Sequence, residues 1–441
     1  MNFISTNSSS EPATFSEAVL GGLAPDGGLY VPEQWPPLPE RFWSELAGKS
    51  LPEIGLEISV RFIDEIGPAD LNTLLEDALN FDAPLVRLSG NRYILELFHG
   101  PTMAFKDFGA RFMSRIFSRL QDPAEGEIVI LTATSGDTGS AVAQGFHGVE
   151  GIKVCLLYPS GKVSRLQEQQ LTTAGGNVTA LEVEGTFDDC QQLVKQAFSD
   201  SRLNERLTLS SANSINIARL LPQTFYYVYG LAQLREVERQ DPIFCVPSGN
   251  FGNLTAGLIA RKLGMPARGF IAATNINDVV PEYLETGEYY PRPSRQTISN
   301  AMDVGDPSNF ARIEYLHEGS HEEIRNHLWG ASFTDEETRS AIHEIYQESG
   351  YLMDPHTAVG YLALRKYRET AGGYFGDGDT TPYVVLATAH PAKFRDVIEP
   401  VIGEEIPLPD RLRESMEKEK QSVRMQNNYD KLKDWLITRY G

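Results

Sequence analysis

Lys106 sits in Gly100-Pro101-Thr102-Met103-Ala104-Phe105-Lys106-Asp107-Phe108, a charged side chain in apolar company just after a Gly-Pro turn. Burial in such surroundings penalises an ammonium and lowers its pKa. Phe108, Phe112, Met113, Ile116, Phe117 and Leu120 then recur at helical spacing. Lys106 is therefore predicted at or just before a helix N-terminus, where the helix dipole also disfavours positive charge. Both effects favour the neutral amine, the form that condenses with a carbonyl to a Schiff base. The alternative is a lysine whose stem packs on the phenylalanines while its head reaches solvent.

Four further groups could meet an anion. Ser248-Gly249-Asn250-Phe251-Gly252-Asn253 is a glycine-containing turn, with a helix predicted from Leu254. Glycines allow close backbone approach, and a following helix aims free N–H groups at a phosphate. An ordinary strand-to-helix turn explains the same residues. Thr134 to Ser140 forms a second such loop, in which Asp137 suits a hydroxyl or a cation better than an anion. Asn213 to Arg219 ends in an arginine suited to phosphate or carboxylate, or else is a helix cap with a surface arginine. Lys162, Ser164 and Arg165 cluster after another apolar run. The pattern is neither Gly-Lys-Ser/Thr nor Gly-x-Gly-x-x-Gly, so the usual nucleotide loops are excluded. No Gly-x-Ser-x-Gly elbow supports a hydrolase. His317, His321 and His327 lack zinc-ligand spacing and are expected to be solvated, with no metal site.

These groups need a frame. Ile128–Leu131, Lys153–Tyr158, Ile243–Val246 and Tyr383–Ala387 are apolar runs, most of them followed by polar or glycine-rich turns and helical patterns. Continuous apolar strands alternating with helices predict an α/β fold of parallel-rich sheets flanked by helices. Ligands bind outside the carboxyl ends of such strands, so the loops are expected to line one cleft. Thr334 and Glu337 form a capping box for a helix that Gly350 should end. Residues 1–82 read as an N-terminal helical and mixed unit. Residues 83–405 read as the main region, with a smaller α/β domain inserted around 110–220. Residues 406–441 read as a charged helical tail.

The net charge is −21, from 60 acidic and 39 basic residues. Nucleic-acid binding by a basic face is therefore not expected. No apolar run reaches membrane-spanning length, and the N-terminus has no signal-peptide pattern. Cys155, Cys190 and Cys245 form no Cys-x-x-Cys pair, consistent with reduced thiols and a cytoplasmic location.

The segment Glu96 to Asp107 resembles the lysine segment of the threonine synthases, pyridoxal-phosphate enzymes of the tryptophan-synthase-β-like fold, fold type II. So do Thr134 to Ala141, Asn213 to Arg219, and Pro247 to Asn253. Ser299 to Gly305, Asp354 to Gly360, Thr388 to Phe394 and the opening Gly22 to Pro32 continue the similarity in order along nearly the whole chain. One departure is Asn7-Ser8 after Ser5-Thr6, where the family often has Arg-Gly. The resemblance implies that Lys106 holds pyridoxal 5'-phosphate as a Schiff base. It implies that Ser248, Gly249, Asn250, Phe251, Gly252 and Asn253 bind the cofactor phosphate. Thr388 would hydrogen-bond the pyridine nitrogen, and Asp137 would lie near the ring hydroxyl. The implied substrate is O-phospho-L-homoserine, with Thr138, Lys162, Asn213 and Arg219 as candidates for its phosphate. The implied state is a monomer or homodimer. Rival readings are a serine/threonine dehydratase of the same fold or a catalytically silent binding protein.

Overall fold

All four predicted apolar runs become strands, Ile128–Ala133, Ile152–Pro159, Ile243–Pro247 and Tyr383–Ala387. Lys153 is the one residue among them that is not buried, as strands covered on both faces require. The computed structural model describes residues 1–121 and 126–441.

Two sheets carry the architecture. The larger has six strands in the order Leu328–Ser332, Gly269–Thr274, Ile243–Pro247, Tyr383–Ala387, Arg92–Glu96, Leu85–Ser89. Its pairs are parallel except the last, an antiparallel hairpin at the edge. The smaller has five parallel strands in the order Val423–Gln426, Val178–Glu184, Ile152–Pro159, Ile128–Ala133, Thr208–Ser210. Before them, Phe3–Ser5 pairs antiparallel with Tyr30–Pro32, and helices such as Pro68–Ala78 follow.

Local signals set several helix ends. Asp335–Ser349 starts from a complete Thr334/Glu337 capping box and stops at Gly350, whose φ of 70° is the left-handed turn that glycine tolerates best. The predicted amphipathic helix is Lys106–Leu120, with Lys106 as its first residue and no side-chain cap. Its Phe108, Phe112, Met113, Ile116 and Phe117 are fully buried in the main core. The helix after the glycine turn begins earlier than expected, at Gly252, because Phe251 adopts a φ of 59° and acts as its N-cap.

Other readings are corrected. The stretch read as a helical tail is helix, strand and helix, and Val423–Gln426 joins the edge of the smaller sheet. His317, His321 and His327 are half-buried rather than solvated. Ring nitrogens of His317 and His321 meet backbone carbonyls, and that of His327 meets Arg261. Among the described residues no cluster of three metal-ligating side chains occurs, and no helix is long and apolar enough to cross a membrane. The three cysteines are free and buried.

Candidate active site

Strand order brings the loops together. In the larger sheet Tyr383–Ala387 lies between Arg92–Glu96 and Ile243–Pro247. The turn leading to Lys106, the residue Thr388 and the glycine turn therefore leave three adjacent strands at the same end. The backbone seals this arrangement: Phe105 N–H donates to the Thr388 carbonyl at 2.9 Å, and His390 N–H to the Met103 carbonyl at 3.0 Å. In the smaller sheet Ile128–Ala133 neighbours Thr208–Ser210, which places Thr134–Thr138 beside Ser211–Arg219. Between these loop sets lies a cavity of about 530 Å³ lined by Lys106, Thr138, Asn213, Arg219, Gly249 and Thr388, among others.

Lys106 is partly accessible, but to this cavity. Its Nζ has no hydrogen-bond partner among the described residues and lies 5.9 Å from the centre of the Phe105 ring. Burial lowers its pKa to about 8; Arg219 and Lys393 push the same way, and Asp137 opposes them.

The glycine turn is built to leave its amides open. Asn253 is turned inward: its Oδ1 accepts from Ser248 Oγ at 3.0 Å and its Nδ2 donates to the Pro247 carbonyl at 2.8 Å. Ser248 is buried by that bond and does not line the cavity. Asn250 is braced from both sides, donating to Ser214 Oγ and accepting from Ser308 N–H, each at 2.7 Å. Among the described residues the backbone N–H groups of Gly249, Asn250, Phe251 and Gly252 find no acceptor. A left-handed φ at a bulky residue such as Phe251 costs about 1–3 kcal/mol and persists only where its surroundings hold it.

On the opposite wall, Arg219 is 3% exposed and its Nε has no partner among the described residues. Nη1 donates to the Ala212 carbonyl. Burial lowers its pKa to about 10, opposed by Asp107, so it stays charged at neutral pH. Asn213 donates to the Ala133 carbonyl at 3.3 Å, leaving its Oδ1 unpaired. Gly109, one turn along the lysine helix, makes room for the arginine: a Cβ there would stand 2.8 Å from both Arg219 Nε and the Arg219 carbonyl oxygen. Backbone cannot retreat as a flexible side chain can. Gly109→Ala is expected to lose about 1–3 kcal/mol of stability in chemical denaturation by overpacking. An unchanged denaturation midpoint would show that Arg219 relaxes freely.

Two further predicted positions, besides Ser248, lie off the lining. Lys162 is exposed and does not line the cavity. Its strand, Ile152–Pro159, sits on the far side of Ile128–Ala133 from Thr208–Ser210, and Ser160 N–H turns outward to the Val183 carbonyl. Asp137 also leaves the lining. It forms an ion pair with Lys393 at 2.6 Å and accepts from Gln167 Nε2 at 3.0 Å. Burial pushes its pKa up, but Lys393 and then Lys106 outweigh burial and hold it near 2.

The cavity has lining residues that local sequence did not single out. Thr6 and Asn7 arrive from the N-terminal unit, on a loop tied to Asp26 by Ser5 Oγ at 2.6 Å and Ser9 N–H at 2.9 Å. Lys195 reaches the lining from helix Phe187–Ser199. His356 Nδ1 meets Asp354 Oδ2 at 2.6 Å while Nε2 accepts from Ala301 N–H at 3.2 Å. That pairing assigns the ring proton to Nδ1. The Asp354-Pro355-His356 run was the available signal for it; nothing near Thr6 or Asn7 in sequence points to the cavity.

The donor set fits pyridoxal phosphate: open amides at a helix start for a phosphate, an unpaired lysine for a carbonyl, and a neutral Thr388 hydroxyl facing the same space. Comparison with known proteins agrees. A model described as pyridoxal-phosphate dependent enzyme matches residues 77–387, and models of the threonine synthase N terminus and C-terminal region match 2–79 and 357–436. Fold and cavity thus define a pyridoxal-phosphate enzyme of fold type II. Threonine synthase of Haemophilus influenzae is 43% identical over 439 residues, 99% of this chain and 100% of the relative. The crystal structure of threonine synthase from Escherichia coli superposes with a TM-score of 0.92 at 40% identity, covering 99% of this chain and 100% of the other. The PLP-bound threonine synthase structure from Brucella melitensis gives 0.90 at 36% identity, covering 100% and 99%. The chain belongs to the threonine synthase family.

Proposed function

We infer that the protein converts O-phospho-L-homoserine and water to L-threonine and phosphate, with pyridoxal phosphate as cofactor. The observation that carries this reading is one cavity holding Lys106 and open glycine-turn amides on one wall and Thr138, Asn213 and Arg219 on the other. A dehydratase needs one phosphate site; this cavity offers donors for two.

The backbone amides of Gly249, Asn250, Phe251 and Gly252 would hold the cofactor phosphate at the helix start, with Ser248 and Asn253 bracing the turn. Thr388 would face the pyridine nitrogen, and a neutral hydroxyl does not enforce protonation there. When bound, the cofactor supplies an electron sink for the substrate's Cα. Lys106, as a free amine, takes the proton from Cα; a second proton then leaves Cβ as phosphate departs, and protons return to Cγ and Cα while water adds its hydroxide at Cβ. Arg219, Thr138 and Asn213 grip the substrate phosphate, which leaves as the Cγ–O bond breaks. On the same reading the enzyme works in the cytoplasm on a small molecule, without nucleic acid, as a monomer or homodimer. Steady-state turnover of O-phospho-L-homoserine tests it, with threonine and phosphate expected in equal amounts. No phosphate release from O-phospho-L-homoserine, with water instead lost from serine or threonine to give a keto acid, would replace the reading by a dehydratase.

The lowered Lys106 pKa gives a pH prediction. The neutral amine grows as pH rises through about 8 instead of through 10.5. At pH 7 the neutral fraction exceeds that of an ordinary lysine by roughly 300-fold. Reloading of cofactor-stripped protein, followed by visible absorbance, should accelerate about tenfold per pH unit below 8 and level off above. A rate that keeps climbing to pH 10 would mean that Lys106 is not desolvated.

A further inference from the structure

Lys393 is a lysine that the mechanism above does not use. It is 1% exposed and lies on the turn Pro391–Phe394, just beyond Thr388. Its Nζ pairs with Asp137 Oδ1 at 2.6 Å and donates to the Thr102 carbonyl at 3.0 Å. Asp137 also receives Gln167 Nε2 at 3.0 Å, and Gln167 Oε1 accepts from Asn300 Nδ2 at 3.3 Å. The Thr102 carbonyl takes a second bond from Gln170 Nε2 at 3.2 Å. Thr102 N–H and Oγ1 donate to Asp107, at 2.8 and 2.7 Å. Asp137, Gln167 and Gln170 follow strands of the smaller sheet; Thr102, Asn300 and Lys393 follow strands of the larger. The bonds therefore form a largely buried polar seam between the two sheets, in which Asp137 also feels the charge of Lys106.

A buried carboxylate must find a cation, because desolvation is costly for an unpaired charge. Asp137 faces two, Lys393 and Lys106. We propose that Lys393 is a positioning residue: it holds Asp137 in the seam, off Lys106, and so leaves the Lys106 amine free for the cofactor and for proton transfer. The proposal rests on Lys106 being the cofactor lysine. The charges facing Lys106 are Asp137, Arg219 and Lys393; Lys393 faces Asp137, Asp107 and His390 as well as Lys106, and Asp107 also faces Arg111. Asp137 raises the proton affinity of Lys106, whereas Lys393 and Arg219 lower it. Releasing Asp137 from Lys393 then turns its whole charge on Lys106.

The test uses purified holoenzyme carrying Lys393→Met, Asp137→Asn or both. The readout is the pH midpoint of the visible cofactor band, which reports proton affinity at the Lys106 nitrogen. Lys393→Met is expected to raise the midpoint by about one unit or more, and Asp137→Asn to lower it, since a nearby opposite charge shifts a pKa by 1–3 units. The double variant should titrate close to Asp137→Asn, because Lys393 acts on Lys106 chiefly through the Asp137 carboxylate. Should Lys393→Met fail to fold, that last comparison decides alone. Shifts of both single variants in one direction would overturn the proposal. So would a double variant that titrates with the unmodified protein, well above Asp137→Asn, because Lys393 would then act by its own charge. A Lys106→Ala protein that keeps the bound-cofactor band would instead overturn the assignment of Lys106, a separate result.

Discussion

Lys106→Ala protein is expected to emerge from gel filtration without the visible band of bound cofactor and without measurable threonine formation. Turnover should fall by at least about four orders of magnitude, because a positioned proton-transfer group alone contributes up to about 10⁴ and the covalent anchor is lost with it. The other basic residues of the cavity lining cannot substitute: Lys195 is exposed, Arg219 stays protonated at neutral pH, and both ring nitrogens of His356 are engaged, by Asp354 and by the Ala301 N–H. The fold should survive. Lys106 has no hydrogen-bond partner among the described residues to lose, and its lowered pKa shows that burying the ammonium is already unfavourable. Against unmodified protein stripped of cofactor, the thermal midpoint should therefore hold or rise. Threonine formation persisting in this variant would sink the mechanism.

Arg219→Met should separate the two phosphate sites. The substitution keeps bulk against Gly109 and removes the guanidinium whose Nε has no partner among the described residues. Truncating a buried charge-assisted partner costs about 2–5 kcal/mol. KM for phosphohomoserine should rise by roughly 30-fold or more, at 1.4 kcal/mol per tenfold. The cofactor band should remain, because the glycine turn is held by Asn253, Ser214 and Ser308. Loss of the band with KM unchanged would move Arg219 to the cofactor phosphate.

Lys106, the glycine turn and Thr388 were legible in the sequence because each lies within a few residues of a strand end or helix start, where local pattern suffices. Lys162 shows the limit. It carries the same local signal, a basic residue past a strand, yet its strand occupies the wrong place in the sheet order. Asp137 shows another. Its sequence neighbours suggest a cavity position, but Lys393 lies far along the chain and draws the carboxylate into the seam. Thr6 and Asn7 line the cavity through the packing of a separate unit, which no local periodicity encodes. The extra strand at Val423–Gln426 was hidden because an edge strand with one buried residue has almost no apolar alternation to read.

That strand has a consequence for biosynthesis. Val423 pairs with Leu181, and Gln426 with Glu184. While the ribosome is still making the middle of the chain, Val178–Glu184, mostly buried when folded, has one side open to any other extended polypeptide. The nascent protein thus carries a sticky edge until translation has passed Gln426. Chains cut short of it should be recovered mainly as aggregates even though every residue of the cavity is present.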